Sequence, residues 1–224
     1  MSSGISHKFQ NSVIRVLTAF DESSPGPMTV SAITKADPAV ATVNSTTVLG
    51  STGDYGVVKL SSVEGMTELE DAVIVVKVVN ATTLTLLGVN SSGYGTFSGT
   101  ALAAPGDMSR WCEVTSFNRA GGSAAEIDNT DVCSVAVETI RGLKDNGSIT
   151  ADFKFAPETA IQLAIKDFDD SGDLTAINYS PPGGAWSRWA IGYISTTSET
   201  GQTNQRWNGS LSFRVTGPII QETA

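Results

Sequence analysis

Period-two alternation, repeated in short stretches and broken by turn residues, constrains this chain more than any other feature. It is cleanest from Ser148 to Phe155. There Ile149, Ala151, Phe153 and Phe155 point one way, and Ser148, Thr150, Asp152 and Lys154 the other. Such a segment is a strand with one buried and one wet face. The same reading predicts strands at 12–17, 29–34, 39–43, 56–60, 72–79, 83–87, 133–140, 174–179, 186–195 and 210–215. Turn residues at Asp37-Pro38, Gly53, Glu64-Gly65 and Asn80 separate the early ones. Asn146-Gly147 predicts a tight hairpin turn, since Asn and Gly accept positive φ, and Gly142 just before it suits a bulge. The stretch 117–131, with Gly121-Gly122-Ser123 and few apolar residues, reads as a mobile loop. Ala101 to Asp107, with Pro105-Gly106, reads as a small-residue linker.

One segment has a helical period. Ile161, Ala164, Ile165 and Phe168 recur at i, i+3, i+4 and i+7, forming one apolar stripe. Pro157 fits the first helical position, followed by Glu158, and Gly172 marks the end. The expected helix, 157–170, caps one face of a sheet. Leu163 falls off the stripe and needs a second partner.

Several chemistries are excluded or weak. The chain has 224 residues, 40% of them hydrophobic, and a formal charge of −9. That charge argues against tight phosphate binding; simple solubility accounts for it, and it would also suit a surface past which DNA slides without sticking. Two cysteines and the single His7 do not make a zinc site or a Cys–His nucleophile. Cys112 is expected in a strand as a buried small residue. A disulfide with Cys133 stays open, although a cytosolic setting argues against it. Met1-Ser-Ser-Gly4 lacks the charged start and apolar region of a secretory leader. The apolar run 72–79, broken by Lys77, is too short to span a bilayer.

Asp167, Asp169, Ser171 and Gly172 match the first half of an EF-hand loop, but Asn178 stands where its bidentate Glu belongs. An acidic helix-to-strand turn is the expectation. Glu126 and Asp128 lie in a loop without aromatic subsites, which makes a poor glycosidase pair. Trp189, Ile191 and Tyr193 share a face and are expected in the core. No nucleophile elbow, Walker loop or dinucleotide fingerprint is present. No enzymatic activity, cofactor or metal is expected.

The order of elements resembles the major tail tube proteins of long-tailed phages. It rests on Trp111-Cys-Glu-Val-Thr-Ser-Phe117, the acidic loop with Glu126-Ile127-Asp128, and the motif Gly142-Leu143-Lys144-Asp145-Asn146-Gly147. The helix and the closing strand Leu211–Gly217 follow. The resemblance covers Trp111 to Pro218. It implies an all-β fold with one flanking helix: a tail-tube-type β-sandwich or barrel, with sheets joining around a ring, usually of six. It further implies stacked rings whose lumen conducts DNA without specific binding. The loop residues Ala124, Ala125, Glu126, Ile127 and Asp128 would make inter-ring contacts. The implied partners are other copies of the chain and the tape measure, tail tip and tail terminator proteins. The implied location is the virion tail, assembled in the host cytoplasm, with no membrane.

A second resemblance concerns 28–102, through Ala32–Val40, Ser62–Leu69, Asn80–Leu84 and Gly88–Tyr94. This segment looks like a small β-barrel module that resembles the first catalytic-cysteine half-domain of ubiquitin-activating enzymes. No cysteine lies between Met28 and Pro105, so only a scaffold is implied, with Met66, Leu69 and Leu84 in its core. The expected organisation is an N-terminal arm and first strand at 1–27, the inserted module at 28–102, and the tube domain at 103–224. Two rival functions are a carbohydrate-binding sandwich using Trp186 or Trp207 and a calcium-dependent adhesion module using 167–173.

Overall fold

A computed structural model of the chain describes residues 8–22, 27–131, 133 and 135–223. His7, the first four residues and part of the predicted 21–27 linker lie outside them. The fold is all-β with one helix, as the alternation predicts.

Five strands follow the first in quick succession: β2 (Met28–Ile33), β3 (Ala39–Val43), β4 (Tyr55–Ser61), β5 (Val73–Asn80) and β6 (Thr83–Leu86). Together with β7 (Ala101–Arg110) they run in the order β2-β3-β6-β5-β4-β7, and β7 pairs back onto β2. That pairing closes a six-stranded barrel and removes its free edges. Val30, Leu60, Met66, Val76, Leu84 and Leu86 fill it. Met66, Leu69 and Leu84 are buried where the sequence places them.

The second lobe begins with β1 (Val13–Phe20) and continues after the barrel with β8 (Val114–Ala120) and β11 (Ser148–Lys154). Helix α1 (Ala160–Ser171) then leads to β12 (Thr175–Ser180), β13 (Trp186–Thr200), β14 (Asn208–Val215) and β15 (Ile220–Thr223). Its strand order is β7-β1-β12-β13-β14-β11-β8, with β15 on β13. Ile149, Ala151 and Phe153 of β11 face Leu211, Phe213 and Val215 of β14 in one core, and Ile161 and Ile165 of α1 cover it. Gly172, at φ +72°, ends the helix as expected. The start differs. Pro157 and Glu158 form a turn, and Thr159 is the cap. The amide of Thr159 donates to Ala156 O at 3.0 Å, which holds this turn outside the helix. Leu163 remains 48% exposed, at the rim of a hollow that Phe155 and Pro157 also line.

Ala101 to Asp107 is not a linker. It belongs to β7, whose first half pairs with β2 and β4 and whose second half, Gly106 to Arg110, pairs with β1. Pro105 stands at the handover from one ladder to the other, where a missing N–H is tolerated. A separate apolar cluster joins the lobes: Leu17 from β1, Val57 and Val75 from the barrel, and Ala176 and Trp189 from the sheet. The strands β4 and β5 are therefore apolar on both faces. Val58 and Val76 point into the barrel, and Val57 and Val75 into the junction.

The expected core face Trp189, Ile191 and Tyr193 divides. Trp189 and Ile191 pack at the junction, while Tyr193 is exposed past the end of that contact. β13 runs to Thr200, beyond its predicted end, because β14 pairs with it along that length.

The shared strand and the junction make the two lobes one cooperative unit. Leu17→Ala is expected to cost about 2–5 kcal/mol. Urea unfolding followed by fluorescence should show one transition at lower urea, with no separate melting of the barrel.

Candidate functional site: a projecting arm and its elbow

The strand pair β8–β11 does not stop at the body of the molecule. Past Ala120 the chain continues as β9 (Ala124–Asp128) and returns as β10 (Thr139–Lys144), forming a separate two-stranded arm. Thr139 faces Asp128, Ile140 faces Ile127 and Arg141 faces Glu126. The loop expected at 117–131 is therefore two strands with a bend between them. The strand expected at 133–140 begins only at Thr139. Cys133, Val135 and Val137 belong to the tip, where no partner strand holds an alternating face.

Asn146-Gly147 is not a hairpin turn. β10 pairs with β9 and β11 pairs with β8 and β14, so the two strands flanking the motif do not pair with one another. The motif is an elbow, packed against Gly121-Gly122 on the outgoing strand. Its glycines answer to backbone contact. A Cβ on Gly122 would lie 1.5 Å from Asp145 O, and one on Gly147, at φ +90°, would lie 2.2 Å from Ala120 O. The elbow is also tied to the body. Arg214 Nη2 lies 3.0 Å from Asp145 Oδ2, Asn146 Nδ2 donates to Thr216 O at 2.9 Å, and Asp145 Oδ1 accepts from Gly147 N at 3.1 Å. Gly142 does sit in a bulge. Three steps along β10 from Arg141 to Lys144 span only two on β9, and Ala125 O would be 3.1 Å from a Cβ there. The extra residue swings Leu143 outward until it is 94% exposed.

The arm carries the most exposed apolar residues of the described chain. Ile127, Val135, Val137, Ile140 and Leu143 are all open, as are Ala125, Glu126 and Asp128, while Ala124 is half-buried. Lys144 is exposed opposite Ala124. The Thr130 hydroxyl and amide hold the Asp128 carboxyl below the usual carboxylate range. Charge therefore stays beside the apolar surface. Among the described strands, both outer edges of this ribbon are unpaired and its apolar side chains stand in water, features that mark interaction surfaces in proteins generally.

The other sites named from the sequence are not assembled. Cys112 is exposed between β7 and β8 rather than buried in a strand, and both described cysteines are free thiols. Asn178 is 1% exposed in β12, where it accepts from Arg15 and donates to Ser187 and to Arg188 O. It does not face the 167–173 segment. Asp167, Asp169 and Ser171 belong to the last turn of α1 rather than to a turn after it; there Asp169 accepts from Thr197, and Asp170 pairs with Lys166, whose pKa this contact raises. Among the described residues no three acidic, His or Cys side chains converge on a point. Trp207 is exposed near Phe155, whereas Trp186 stands edge-on to Tyr179 beneath Arg188. A cleft of about 560 Å³ between the lobes is lined by the polar groups of Arg15, Asn178, Ser187 and Glu222. Its groups satisfy one another: Ser187 and Trp189 Nε1 both donate to Glu222. No described helix is long and apolar enough to cross a membrane.

The elbow predicts a contrast between neighbouring glycines. Gly122→Ala should lower stability by roughly 1–3 kcal/mol, because the backbone contact leaves no room for a methyl. Gly121→Ala, with nothing within 4 Å, should change it by less than about 0.5 kcal/mol. Urea unfolding of the two variants checks both.

A family model described as phage tail tube protein matches residues 64–220, from the middle of the barrel to the start of β15. No curated protein matches the chain.

Proposed function

This chain belongs to the phage tail tube protein family, and we propose from that membership that it is the repeating subunit of a tail tube. It is a structural component of the virion tail and not an enzyme. In this reading copies close into rings, six to a ring. The rings stack, and DNA passes through the lumen during ejection. The tail is of the long, siphovirus-like kind, assembled in the host cytoplasm. The tape measure, tip and terminator proteins are its further partners. An excess of 23 acidic over 14 basic residues suits a conduit that must not retain a polyanion. In the same reading the barrel, which β7 completes past the expected boundary at 102, is the inserted module and stands outside the lumen.

One observation carries the proposal: the arm. Residues Ala124 to Asp128 and their β10 partners lie beyond the body, with apolar side chains and open strand edges. Apart from the half-buried Ala124, they are open among the described residues. Contact with a neighbouring subunit would bury both. A single well-buried aliphatic side chain contributes about 1.5–3 kcal/mol, roughly tenfold or more in an association constant.

Electron microscopy of the concentrated protein should therefore show rings or tubes. Val137→Asp with Leu143→Asp should leave the melting temperature within a few degrees of the parent, because both side chains lie in water. The same change should raise the concentration needed for polymer at least tenfold. Polymer formed by this variant at the parent's concentration would show that the arm is not the contact.

A further inference from the structure

A second groove, about 330 Å³, lies where the open edge of β8 approaches β1 and the β12–β13 turn. Its floor is aromatic. Phe117 and Tyr179 have ring centroids 4.9 Å apart, and Trp186 stands edge-on to Tyr179 at 6.2 Å. Its rim is basic. Lys8, Arg119 and Arg188 line it with no acidic residue among the lining side chains. In a chain of net charge −9 that is a local inversion of sign. Arg188 lies over Trp186 at 4.9 Å and donates to Gln221, while Arg119 stands exposed on β8.

One feature marks the groove as unfinished. β8 pairs only with β11, so no strand among the described residues occupies its other edge. An incoming extended segment that brings carboxylates, aliphatic side chains and a backbone edge would answer the rim, the floor and the strand together.

The chain contains such a segment. Between residues 120 and 140 it has Glu126, Asp128, Asp131 and Glu138 and not one Lys or Arg, with Ile127, Val135 and Val137 exposed among them. We propose that the arm tip of one copy fills the basic aromatic groove of a neighbouring copy. This rests on the tube-subunit reading and names the receiving surface within it. A copy does not fill its own groove. Its arm leaves from β8 beside the groove and runs outward, and the five residues of β9 alone carry the chain about 17 Å away. Every copy therefore gives one arm and receives one. That contact is heterologous and passes from subunit to subunit, as ring or stack formation requires.

Charge exchange tests the pairing. Arg119→Glu with Arg188→Glu reverses the groove, and Asp128→Lys with Glu138→Lys reverses the arm. Sedimentation at a series of concentrations measures assembly, and thermal melting confirms that each variant is folded. Each reversal alone should raise the concentration needed for polymer at least tenfold, and the combined variant should recover most of the loss. Arg188 packs on Trp186, so Arg119→Glu alone serves as a milder probe if the double reversal unfolds. It should weaken assembly severalfold while the melting temperature holds. Harmless reversals in a chain whose parent polymerises would overturn the pairing alone. So would a groove defect that the reversed arm does not rescue. A parent that stays monomeric at every concentration would remove the tube-subunit reading, and the pairing with it.

Discussion

The ladder between β7 and β1 is the constraint on which the rest depends. β7 gives its first half to the barrel and its second half to the sheet, so neither lobe is complete without it. Leu17 on β1 is fully buried directly under that handover, against Val57 and Val75 of the barrel and Trp189 of the sheet. Fixing β1 in turn fixes β12, β13 and β14, and through them β11 and β8. The arm leaves a body that is braced strand by strand back to the barrel. A projecting ribbon transmits force or position only if its root is held. Here the root is held by Asp145 on Arg214 and by Asn146 on the carbonyl of Thr216.

What the body satisfies, the arm leaves open. Within the two lobes most apolar side chains have partners and the barrel has no edge. In the arm the same residue types stand in water, along strands with unpaired outer edges. Exposed apolar ribbon is an aggregation hazard for a free subunit and an assembly device for one that meets copies of itself. The run of carboxylates beside the isoleucine and valines limits unspecific sticking and selects a basic receiver. The groove below β8 has that character.

Much of this was legible in the sequence, and the failures have physical causes. Alternation placed β3, β6, β11 and β14 to within a residue or two, because each has one buried and one wet face. The positive φ of Gly147 and the bulge at Gly142 were also legible. The pairing was not, because Asn-Gly chemistry reports backbone conformation and not which strand lies opposite. The partner here is Gly121-Gly122, some 25 residues earlier; their composition suggests looseness, yet Gly122 marks a close backbone contact. Pro105-Gly106 suggested a break in the chain, although a strand that changes ladders can carry a proline at the exchange. The lobe junction did leave a signal, in Val57-Val58 and in 73–76, which are apolar on both faces. The arm's exposed valines and isoleucines look like core in any local pattern. Only the fold shows that they stand open among the described residues.

Amide hydrogen exchange on free and assembled protein measures the central claim most directly. If the arm is the surface through which copies join, amides along the outer edges of β9 and β10 and across the tip should exchange fast in the free subunit. They should slow by at least tenfold in the polymer, while β11 and β14 stay protected in both. Equal exchange across 124–144 in the two states, with polymer present, would contradict it and place the contact elsewhere on the subunit.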